Sequence, residues 1–173
     1  MNFVNKQMEP AVQQIGSNTF YIYPFPAFVS ANLSGEIIAL LTPMIASIAS
    51  VVGENKNEEK SIMDMEINEV APHIVGAFSS LSGDKVERLL RKLLLANNIG
   101  VLPDGESDAK WLNEDICNML FCGSTQDMFI LAFYVIKVNY AGFFEKIENL
   151  PGSAKDILRE KMETVFPNMA PLT

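Results

Sequence analysis

The chain has 173 residues, 49% of them apolar and 20% charged, with a formal net charge of −8. That length supports one well-buried core and a single domain. Excess acid repels phosphate backbones, and the strongest basic cluster is the short run Arg88, Arg91, Lys92, so nucleic acid is set aside as a partner class. The opening MNFVNKQMEP lacks the charged-then-apolar pattern of a secretory leader, and the two thiols, Cys117 and Cys122, are expected to stay reduced in a cytoplasm.

In chain order, the first element is a β-hairpin over Ala11–Tyr23. Val12 and Ile15 lead into the turn cluster Gly16-Ser17-Asn18, and Thr19-Phe20-Tyr21-Ile22-Tyr23 follows with strong strand propensity. Two strands alone are marginal, so the hairpin must lie on helices or pair with another chain. Pro24 and Pro26 then favour an extended exit and a helix start, which predicts a helix over Pro26–Leu41 with Leu33, Ile37, Leu40 and Leu41 as its apolar stripe. Ile37–Val52 carries no charge. Spanning a bilayer takes about 20 mainly apolar residues; this run is shorter and broken by Pro43, so burial or a subunit contact is the reading. Gly53–Met65 is a solvated acidic loop.

A further helix is expected from about Asn68, with Pro72 in its first turn and Val70, Ile74, Ala77, Phe78 and Leu81 on one face. His73, the one histidine, has no second ligand type nearby and is taken as structural. Ser82–Asn97 is the cleanest amphipathic helix, with Val86, Leu89, Leu90, Leu93 and Leu94 on one stripe and Glu87 four residues before Arg91. Asp104, Glu106, Asp108 and Asp115 fall at calcium-loop positions, but Ala109 stands where the loop needs glycine, so an acidic surface turn is expected. Trp111-Leu112-Asn113 is expected to open a short helix running to Phe121, which Gly123 ends.

Ser124–Phe144 reads as one long helix, apolar on nearly every side, with Ser124 and Asp127 spaced as a capping box. Such a helix belongs at the centre of a packed bundle, and Met128–Val138 is expected to be its most buried stretch. Leu150-Pro151-Gly152 breaks the chain before a narrow stripe of Leu158, Met162 and Val165. The expected fold is therefore mainly α with some β (α+β): a helical bundle carrying an N-terminal β-hairpin. One helical domain is expected over 1–150, with a C-terminal helix and loose tail over 151–173.

Phosphate-cradling glycine motifs, nucleophile elbows and metal-spaced His/Cys sets are missing from the sequence. No catalytic residue, cofactor or metal is expected, and the protein is expected not to be an enzyme. The order of features does carry a resemblance. Phe20-Tyr21-Ile22-Tyr23-Pro24-Phe25-Pro26, the leucine-rich helix, Trp111-Leu112-Asn113, Phe121-Cys122-Gly123 and the ending Val138-Asn139-Tyr140-Ala141-Gly142-Phe143-Phe144 resemble the tail assembly chaperones of long-tailed bacteriophages, over roughly residues 11–145.

The resemblance implies a non-catalytic protein of the host cytoplasm. It would coat the tape measure protein until the tail tube polymerises around it, then leave; the tail tube protein is a second expected partner, and the membrane is none. Many such chaperones also exist in a longer frameshifted form. The runner-up is a tail or neck structural protein retained in the virion. Binding a long helical partner needs apolar surface with aromatic anchors, and the candidate partner-binding residues are Tyr140, Phe143, Phe144, Phe129 and Phe133. The nine methionines suit either an adaptable surface or gap-filling in a core.

The charge-free Ile37–Val52 run also predicts a homo-oligomer, since one small domain does not easily hide it. Light scattering at roughly tens of micromolar, where micromolar contacts populate, should give a mass above that of one chain. A clean monomer would overturn this.

Overall fold

In the computed structural model of the chain, residues 9–38, 67–79 and 81–148 are described, with backbone alone at 68–70, 77 and 143–148. β1 (Ala11–Ile15) and β2 (Asn18–Ile22) pair antiparallel, with Ile15 opposite Asn18 and Val12 opposite Tyr21. Gly16 turns the corner at φ 59°, a left-handed conformation that glycine adopts without a Cβ penalty and that two-residue hairpin loops use at their first position. Strand alternation sends Ile15, Phe20 and Ile22 inward and leaves Val12 54% exposed on the other face. The hairpin thus stands where the sequence puts it.

It does not stand alone. β3 (Ile99–Leu102) pairs antiparallel with β2, placing Phe20 opposite Val101 and Tyr21 opposite Gly100. The two-residue β4 (Lys110–Trp111) adds to β3, and the sheet order is β1-β2-β3-β4. The fold is mixed α+β: the hairpin expected beside a helical bundle is half of a four-stranded sheet. Trp111, expected at the start of a helix, lies in β4. The helix after it waits for Asn113, whose side-chain oxygen accepts from the Ile116 N–H at 2.9 Å, the usual cap for an orphan donor.

Five helical stretches accompany the sheet among the described residues. Residues 27–38 form α1, with Leu33 and Ile37 buried; Leu40, Leu41 and the run 39–52 lie outside the described residues. α2 (Ile67–Ser79) buries Ala71, Ile74 and Phe78. It is helical a residue before the expected start, so Pro72 falls in its second turn, where the ring removes one helical donor. α3 (Gly83–Leu94) buries Leu89, Leu90, Leu93 and Leu94. Asn97, at φ 57°, ends that stretch in a left-handed turn. α4 spans Glu114–Phe121 and α5 spans Thr125–Glu148.

α5 packs against β1, β2, α2, α3 and α4. Leu131, Ala132, Val135 and Ile136 are wholly buried along it, as a helix with no polar stripe requires. The sheet covers it from one side and the helices from the others.

Two polar residues fix where α5 meets the hairpin's exit. Pro24 and Pro26 have no N–H to offer, so Phe25 holds the single backbone donor of that tripeptide. Phe25 is buried, and its N–H donates to Asn139 Oδ1 at 2.7 Å, while Asn139 Nδ2 donates to the Val135 carbonyl at 2.8 Å. At the next residue of α5, the Tyr140 hydroxyl donates to the Ser30 carbonyl of α1 at 2.7 Å. From the sheet side, Tyr23 N–H donates to the Asn98 carbonyl at 2.8 Å, and Asn98 Nδ2 donates back to the Tyr23 carbonyl at 3.1 Å.

Two substitutions test this packing in denaturant melts. Phe133 is 3% exposed, so Phe133→Ala should cost about 3–5 kcal/mol; an unchanged midpoint would place the ring at a surface. Asn139→Ala strands the Phe25 donor and should cost about 1–3 kcal/mol.

Candidate functional site

Where α3, α4 and the first turns of α5 converge, the helices do not close on one another. Phe78 at the end of α2 stacks on Phe129 of α5, ring centroids 4.8 Å apart and 7° from parallel. Beside this pair lies an open groove of about 490 Å³. Leu81, Val86, Leu95, Met128 and Phe129 line it and are only partly buried. The α3 stripe explains this: Leu89 and Leu93 seat in the core, while Val86, Leu90, Leu94 and Leu95 run along the groove side.

The groove's rim is charged. Arg91 Nε meets Glu87 Oε1 at 2.8 Å, and Arg91 Nη2 meets Glu114 Oε1 at 2.8 Å. This arginine beside it holds the Glu114 carboxyl below the usual range, and the two carboxylates raise the arginine in turn. All three side chains are about half exposed, so salt screens the pairs and their contribution to stability is small. One guanidinium between two carboxylates leaves the rim negative. Cys117 also lines the groove, and burial, then the Glu114 charge, push its thiol from 9.0 up to about 11.

A second, smaller cleft of about 320 Å³ lies on the sheet's outer face among Tyr21, Tyr23, Gly100, Lys110 and Trp111. Trp111 is 57% exposed and tilts against Tyr23 at 5.7 Å between centroids.

Of the three aromatic residues read from the sequence as partner-binding whose side chains are described, Phe129 is the one that lines the groove. Phe133 and Tyr140, 3% and 6% exposed, are held in the core. In this arrangement they offer no surface. Phe143 and Phe144 belong to the last turns of α5, and their side chains lie outside the described residues. Leu81, Val86, Leu95 and Met128 were not singled out as site residues. The signal available was a leucine stripe longer than one contact needs, which reads as core until the neighbouring helices are placed.

The acidic turn carries no ligand cage: Glu106 pairs with Lys110, and Ser107 Oγ donates to Asp108 Oδ2 at 3.0 Å. Among the described residues no three His, Cys, Asp or Glu side chains gather closely enough to hold a metal ion. No helix among them is long and apolar enough to cross a membrane.

A family model described as phage tail assembly chaperone protein, TAC, matches residues 16–152, and the chain belongs to that family. No curated protein and no solved structure matches it.

The thiols give a direct check on the groove floor. Cys122 is exposed and Cys117 buried. At pH 8 a maleimide should modify Cys122 in the folded chain and Cys117 only after denaturant. The raised Cys117 value also has a sign: above 9.0 the unfolded thiol ionises first, so its contribution to stability should fall as pH rises from 9.0 to about 11. A shallower fall in the Cys117→Ser chain than in the parent would confirm the assignment, the rest coming from the Tyr134 and Tyr140 hydroxyls, which burial also raises.

Proposed function

We propose that this chain is a non-catalytic phage tail assembly chaperone that binds the tape measure protein through apolar surface and keeps it soluble in the host cytoplasm. Membership of the tail assembly chaperone family over residues 16–152 carries the reading. The open groove with its partly buried apolar walls supports it, because a protein that shields another's hydrophobic surface must offer some of its own. Phe129 is the aromatic anchor this reading places in contact with the partner, and Phe143 and Phe144 extend the same proposal to the end of α5. Phe133 and Tyr140 act from within, by holding α5 against the sheet and α1. Self-association through the charge-free run beginning at Ile37 remains part of the proposal, as does the tail tube protein as second partner.

Co-expression decides it. The tape measure protein should be recovered in the soluble fraction only when this chain is present. Phe129→Ser should reduce that recovery while the circular dichroism of the isolated chain stays unchanged. Equal solubility with and without this chain would remove the proposal.

A further inference from the structure

We propose that the groove between α3 and the start of α5 is the seat of one amphipathic helix of the client protein, and that this helix carries Lys or Arg beside its apolar stripe. The inference rests on the chaperone reading and names the face and the chemistry that reading leaves open. Both long walls of the groove are helices, and no strand of the sheet lines it. Main-chain pairing with an extended peptide is therefore unavailable there, whereas ridges and grooves of side chains are what a docked helix fits. The half-covered row of Val86, Leu95, Met128 and Phe129, with Leu81 at one end, asks for an apolar stripe.

Charge settles the flanks. Glu87 and Glu114 share one arginine, in a chain of net charge −8. A helix entering beside them is favoured if it brings positive charge and opposed if it brings negative. The same fact argues against a second copy of this chain as the occupant: a two-fold contact sets a patch against itself, and here it would bring two negative rims together.

The test uses the full chain and synthetic helical peptides of about 18 residues, long enough for five turns. Each carries leucines on one stripe, flanked by Lys in one peptide and by Glu in the other. Fluorescence anisotropy should show the Lys-flanked peptide binding and the Glu-flanked one at least about tenfold weaker, with the gap closing as salt rises. The double change Glu87→Lys with Glu114→Lys, both on the exposed rim, should reverse the order of the two peptides. Met128→Glu should abolish binding of either, while Val12→Glu on the sheet's outer face should leave it intact.

Equal affinity for both peptides, or an order that the rim changes do not reverse, would overturn the proposal. So would binding of neither, which is the result for a groove already filled by the chain's own residues. A self-association that Met128→Glu abolishes would give the groove to a second copy and overturn it too. If Met128→Glu loses the peptide yet still solubilises the tape measure protein, the groove assignment falls and the chaperone reading stands. The converse, peptide binding without any solubilisation of the tape measure protein by the parent chain, removes the chaperone reading alone.

Discussion

A helix without a polar side dictates this architecture. α5 has no wholly polar stripe to turn to water, and five elements, β1, β2, α2, α3 and α4, pack against it. The β1–β2 hairpin of the sheet takes one side, and α2, α3 and α4 lie on others. Apolar burial of this kind is not directional, and by itself it would let α5 slide or rotate under its cover. Asn139 and Tyr140 supply the missing direction. Each reaches across to a backbone atom near the hairpin's exit, so the axial position of α5 is tied to the chain at Phe25 and Ser30.

The elements legible in the sequence are those whose cause is local. The hairpin declares itself through Gly16 and an alternating strand, α3 through its leucine spacing, and α5 through the length of its apolar run. β3 and β4 were not legible, because their cause is distant. Ile99-Gly100-Val101-Leu102 is four residues long and becomes a strand by pairing with Thr19–Ile22. Lys110–Trp111 is a strand solely because β3 lies beside it. Trp111 followed by Leu112, Asn113 and two acids looks like a helix opening, and the cap two residues on, Asn113, is where the helix does open.

The same contrast governs the site. Asn139 and Tyr140 stood out in the sequence as part of a family-like ending, and the surface was the natural place to put such a polar and aromatic pair. Their partners sit 114 and 110 positions earlier in the chain, a relation that no local spacing encodes. Phe129 and Phe133 are one helical turn apart and equally apolar, yet one reaches the groove and the other does not. Four residues apart, they share a face of α5, so what separates them is position along the helix, and only the placement of the neighbouring helices gives that position a meaning. The groove itself is a mismatch between two correctly read elements: a stripe on α3 that outruns the surface available to cover it.

The pairing of β2 with β3 also sets a clock. Phe20 leaves the ribosome about 80 residues before Val101, which at ordinary rates of synthesis is roughly 4–16 s. The inward side chains of the hairpin, Phe20 and Ile22, face α5, which follows later still. For that interval the nascent hairpin has neither its native third strand nor α5 to cover its apolar face. The order of the elements in the chain thus delays closure of the sheet's inner face until α5 emerges.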